Sequence, residues 1–170
     1  NLLADILRSI YANGFKRIVC LNGHGGNSAP SRSVTCQVAE ENIFTLTFDW
    51  WDVVSEELPA WSATDEGVGH GGEWETSVQL HLRDYLIDRS RMYRDDTGTQ
   101  PFSDDLPFAG FPERRRDTQN NTGIMGDAFA ASAEKGGKVF ALVCNRLEKL
   151  VREYHDLPVR EYLEFGSHCP

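Results

Sequence analysis

At 170 residues, 40% of them hydrophobic and 25% charged, the chain is long enough for one domain with a real core and has an ordinary globular composition. Its net charge of −9 argues against an electrostatic footprint for nucleic acid or for an anionic membrane surface. No apolar run approaches the length of a membrane span. The four cysteines, Cys20, Cys36, Cys144 and Cys169, form no C-x-x-C pair. That scatter suits a reduced, cytoplasmic protein better than a disulfide framework.

Residues 2–12 carry Leu3, Ile6, Leu7, Ile10 and Tyr11 at helical spacing, and Asn13-Gly14 reads as the cap that ends the helix. A strand is predicted over 16–22, where Ile18 to Leu21 form a short apolar run. It stops at Asn22-Gly23, and His24 follows, set between glycines. Asn27 or Ser28 then reads as the N-cap of a helix over roughly 29–41, with Pro30 in its first turn and Val34 and Val38 four apart. Ile43 to Phe48 is the second strand. Helix, strand, helix, strand with short connections predicts parallel strands joined by a right-handed crossover. Asp49-Trp50-Trp51-Asp52 then shares the carboxyl edge of the sheet with His24. In open α/β sheets that edge is where ligands bind.

Residues 53–69 are polar and irregular. Gly69-His70-Gly71-Gly72 then leads into a helix to about Leu82, with Trp74, Val78 and Leu82 as its apolar stripe and Glu75 in its first turn. Residues 92–125 show little periodicity, and a loop of that length usually serves as a lid or a partner contact, or is disordered. Arg114-Arg115-Arg116, flanked by Glu113 and Asp117, reads as a solvated stretch within it. The last helix is predicted from about Ser132 to His155, burying Phe140, Val143, Cys144, Leu147, Leu150, Val151 and Tyr154.

Taken singly, each candidate residue has an ordinary explanation. The His24 loop reads as a flexible turn or a phosphate cradle, although it lacks the spacing and the Lys of a P-loop. Glu75 stabilises its helix through the dipole. Together, two glycine-embedded histidines, a carboxylate at a helix start and paired tryptophans match the donors of a hydrolytic Zn²⁺ or Mn²⁺ site, with a second histidine able to move protons.

Three ordered motifs carry a resemblance. Asn22-Gly23-His24-Gly25-Gly26-Asn27 follows an apolar strand, and His70-Gly71-Gly72-Glu73-Trp74-Glu75-Thr76-Ser77 lies downstream. Gly123-Ile124-Met125-Gly126-Asp127 then leads to Ala133-Glu134-Lys135-Gly136. Together they resemble the creatininase (creatinine amidohydrolase) family over nearly the whole chain. The resemblance implies a three-layer α/β/α sandwich with a mostly parallel sheet. It also implies a homohexameric assembly and an amidohydrolase that uses two divalent ions (zinc, manganese or iron) to activate water against a small-molecule amide. It assigns His24 as a ligand of one ion and Glu75 as a ligand of the other. His70 takes the place of a histidine that handles protons at the leaving nitrogen, and Trp51 that of a tryptophan packing over substrate.

The departures are informative. The family's other ligands come from an N-terminal Glu-x-His-Gly…Asp region with no counterpart here, and the sequence starts in mid-helix. The expectation is a single creatininase-like domain over 1–170, truncated at its N-terminus and inactive by itself. Gly26 stands where creatinine-hydrolysing members carry a carboxylate. Glycine there resembles the branch containing formamide deformylases and the mycofactocin peptidase, so the expected substrate is a formamide or a small or cyclic amide. The alternative is a non-catalytic binding or scaffold domain that keeps the fold and has lost the metal.

Overall fold

The computed structural model of the chain describes residues 2–64, 68–95 and 122–158. Most of the long 92–125 segment, with the arginine run at 114–116, lies outside the described residues, as does Cys169. The chain divides into two units, one of Asn1–Val53 with Val143–Pro170 and one of Val54–Leu142. Among the described residues, no helix is long and apolar enough to cross a membrane.

The first unit begins with helix α1, Leu2–Ala12. It closes as the sequence predicts: Gly14 adopts φ +96°, the Gly14 N–H donates to Tyr11 C=O and the Phe15 N–H donates back to Ile10 C=O. That pair of bonds is a Schellman ending, which needs a residue free to enter the left-handed region. Strand β1 is Ile18–Asn22, helix α2 is Ser28–Ala39 and strand β2 is Thr45–Asp49. The strands are parallel, in register from Ile18 opposite Thr45 to Asn22 opposite Asp49. Ala4 and Leu7 of α1, Ile18 of β1, Val34 and Val38 of α2 and Ile43 make one core cluster. Burying a side chain such as Leu7 stabilises the unit by about 2 kcal/mol. β1 begins at its apolar run, two residues inside the predicted 16–22, and β2 begins two residues later than predicted and runs one residue further, so that the pairing register ends on the polar couple Asn22 and Asp49.

In the second unit, the stretch predicted as irregular holds the short helix α3, Leu58–Trp61. Helix α4 is Glu73–Arg83 and helix α5 is Ala133–Asp156, whose residues up to Leu142 belong to this unit and the rest to the first. The predicted stripe of α4 is rotated. Trp74 is fully buried, but so are Glu73 and Ser77, while Leu82 is 46% exposed. Glu73 explains the rotation: its carboxylate accepts from the Ala63 N–H at 2.9 and 3.0 Å, from the Thr64 hydroxyl and from Lys135. A carboxylate so fully bonded is buried at tolerable cost, and residue polarity alone does not show it. In α5 the buried positions include Gly136, Val139, Val143 and Tyr154, whereas Phe140, Cys144 and Val151 face outward. The line of contact follows Gly136, which packs directly on the Ser77 main chain.

Candidate active site

His24 is presented by a turn that other residues hold in place. Asn22 and Asp49, the last residues of the paired strands, are both buried. The Asn22 side-chain amide donates to Asp49 Oδ1 at 2.5 Å and to the His24 C=O at 2.8 Å, and Asn22 Oδ1 accepts the His24 N–H at 3.1 Å. The Ser28 hydroxyl also donates to Asp49 Oδ1, at 2.9 Å, and Arg32 reaches both Asp49 and Asp52. A buried carboxylate thus collects the donors around it, as a charge in low dielectric must. Asn27 stands at the N-cap of α2 without a side-chain capping bond, and Ser28 gives its hydroxyl to Asp49 instead. Two of the loop's own N–H groups turn inward as well: His24 to Asn22, and Asn27 to the His24 C=O at 2.9 Å.

The imidazole itself is exposed and folds over Gly26, where an added Cβ would stand 3.0 Å from His24 Nε2. Trp50 donates its N–H to the Asn22 C=O at 3.1 Å, so the chain leaving β2 stays at the same edge. Trp51 follows, half-buried, with its ring edge-on to Trp50 at 5.8 Å between centroids. The first unit therefore brings His24 and Trp51 to one carboxyl edge, as the sequence predicts.

The second unit brings His70 and Glu75 to one helix entrance. Gly69 and Gly71 take φ of +63° and +59° on either side of His70. The His70 N–H donates to Met125 C=O at 2.8 Å and the Met125 N–H donates to His70 C=O at 2.7 Å. Glu75 Oε2 accepts the Gly71 N–H at 2.7 Å, and the Thr76 hydroxyl donates to Gly71 C=O at 2.8 Å. Glu75 thus closes the loop onto the first turn of α4, a more specific role than a dipole contact. Asp127 receives the Phe129 N–H at 2.8 Å and starts the short turn Ala128–Ala130.

Sequence reasoning missed Asn22, Asp49 and Met125. Asn22 and Asp49 did carry a signal, since each is a polar residue ending an apolar strand. Met125 was marked only as a member of the Gly123–Asp127 motif, and its side chain gives no hint of the role, because only its main chain acts.

Among the described residues no group of three or more His, Cys, Asp or Glu side chains is placed to hold a metal ion. Hydrolytic zinc sites normally draw on about three protein ligands. His24 and Glu75 are of ligand type, but the described residues do not compose a complete centre.

A family model described as creatininase, creatinine amidohydrolase, matches residues 1–151. The creatinine amidohydrolase of Pseudomonas putida is 27% identical over 161 residues, covering 88% of this chain and 60% of that protein. The mycofactocin precursor peptide peptidase of Mycobacterium ulcerans is 29% identical over 129 residues, 74% of this chain and 44% of its own. The crystal structure of a Bacteroides fragilis protein assigned as a creatinine amidohydrolase superposes with a TM-score of 0.74 at 26% identity, over 92% of this chain and 61% of that one. A manganese form of creatininase shares the fold with a TM-score of 0.69 at 23% identity. The chain thus spans about three-fifths or less of the length of the curated relatives it matches.

Proposed function

The chain belongs to the creatininase family, a family of metal-dependent amidohydrolases, and on that premise we propose that it serves hydrolysis of the C–N bond of a formamide or a small or cyclic amide. His24 and Glu75 are the metal ligands it contributes, to a pair of divalent ions of which zinc and manganese are the leading candidates. Solved structures of creatininase in a manganese form and in a mutant of Zn–Zn type support the choice of ions, and a mutant complexed with creatine supports a small amide-related ligand. His70 delivers a proton to the departing nitrogen, and the flat face of Trp51 packs on the substrate. The fold this reading implies is a three-layer α/β/α sandwich, in a protein that assembles with copies of itself.

The observation that carries this reading is the way both candidate ligands are presented. His24 stands on a glycine-bearing loop where Asn22 bonds its N–H and its C=O, and Glu75, in the first turn of α4, accepts the Gly71 N–H of the loop that carries His70, whose peptide groups Met125 and Thr76 hold. Fixed backbone beneath a ligand or a base is what precise chemistry requires. Gly26, without a carboxylate, favours formamides over creatinine.

The test uses the gene product that contains these residues, with steady-state rates on N-formyl compounds, small amides and creatinine. Formamide or small-amide turnover well above creatinine turnover is expected, and a clear preference for creatinine contradicts the substrate assignment. Glu75→Gln separates the ligand role from the loop role, because the Gln oxygen still accepts the Gly71 N–H. Melting close to wild type is expected, with activity loss exceeding the roughly 10–100-fold typical of outer-shell partners. The non-catalytic reading gains from the ligand count among the described residues. Absence of turnover on every amide would establish it.

A further inference from the structure

The motif Gly123–Asp127 is left over by the account so far, which assigns it neither a metal ligand nor a proton donor. We propose that Met125 is a positioning residue for His70, acting only through its main chain, so that this segment is a strap setting where the imidazole can stand. The proposal rests on the reading of His70 as the proton-handling group.

The geometry is specific. His70 and Met125 exchange both possible peptide hydrogen bonds, at 2.8 and 2.7 Å, an antiparallel bridge that belongs to no longer strand pair among the described residues. The glycines around His70 are what let the strap approach. A Cβ on Gly69 would lie 2.3 Å from the Met125 carbonyl oxygen, and Gly69 is also in the left-handed region at φ +63°. A Cβ on Gly72 would lie 3.0 Å from the same oxygen.

The strap is anchored on its far side. The Asp95 N–H donates to Gly126 C=O at 3.0 Å, the Ala128 N–H donates to Tyr93 C=O at 3.1 Å, and Arg94 forms an ion pair with Asp127. On the other flank, Glu75 and Thr76 hold both polar groups of the Gly71 peptide. The main-chain N–H and C=O of both His70 and Gly71 are thus bonded, which leaves the side-chain torsions of His70 to finish the placement. A misplacement of about 1 Å at such a group costs on the order of a hundredfold in rate.

Gly69→Ala, Gly72→Ala, Met125→Leu and His70→Ala in the same gene product make the test. Turnover and KM on an N-formyl substrate, the pH profile, melting and the ¹⁵N signals of the His70 ring are read for each. Met125→Leu keeps the main-chain bridge, and its effect on kcat is expected to be smaller than that of either glycine variant. Gly72→Ala pushes the strap by a few tenths of an ångström and is expected to lower kcat about tenfold. Gly69→Ala breaks the bridge and is expected to lower kcat about a hundredfold, with KM within about twofold, a moved His70 ring signal and a shifted pH limb. A purely structural strap would lower melting without moving the pH limb, and that result overturns the proposal. If Gly69→Ala does not fold, the graded loss in Gly72→Ala decides, and wild-type kcat there overturns it. A large loss in His70→Ala with none in the glycine variants defeats the strap alone. Unchanged turnover in His70→Ala defeats the proton reading and the strap with it.

Discussion

Gly26 leaves the His24 ring room and little more. With an added Cβ only 3.0 Å from Nε2, even a methyl group at this position obliges the imidazole to give by a few tenths of an ångström. At Gly25 the same Cβ would meet nothing within 4 Å. Gly26→Ala is therefore expected to move the His24 ring signals in an NMR spectrum, and Gly25→Ala to leave them in place; equal shifts in both variants would contradict the packing of the ring on residue 26. The histidines themselves are legible in the sequence, because glycine on both sides of a titratable ring is an unusual pattern. Their supports are legible only in part. Asn22 and Asp49 become a pair only once the strands are parallel and in one register. Met125 meets His70 across a long stretch of chain through atoms that every residue possesses.

At the scale of elements, existence and order follow from periodicity, and the buried faces follow from contacts that periodicity does not contain. Helix α1 reads correctly down to its glycine cap, since propensity, spacing and cap agree. In α4 and α5 the faces turn because two main chains come together at Ser77 and Gly136, and because Glu73 and Lys135 pair beside them. A Cβ at Gly136 would fall 1.9 Å from the Ser77 carbonyl oxygen, whereas one at Gly137 would meet only the movable His81 ring at 3.2 Å. Gly136→Ala is accordingly expected to destabilise the protein by about 1–3 kcal/mol through overpacking. Gly137→Ala is expected to be neutral, or to gain up to about 1 kcal/mol from helix propensity. Thermal or urea denaturation checks both, and a stable Gly136→Ala would mean that the helices do not touch at this point.

For the molecule as a whole, ligand number is the governing quantity. The family, the parallel pair and the two loops are present, and the chain covers 60% of its Pseudomonas putida relative. The described residues offer His24 and Glu75 without a third donor grouped beside either. Affinity for a divalent ion rises with the number and geometry of the side chains that hold it. A single imidazole or carboxylate does not hold zinc or manganese against water and buffer. The direct measurement is metal content: the 170-residue chain is loaded with excess Zn²⁺ or Mn²⁺, desalted, and its bound ions are counted per chain. Far less than one retained ion per chain is expected; about two tightly held ions per chain would contradict the view that the chain supplies one proposed ligand to each ion, His24 and Glu75, among its described residues.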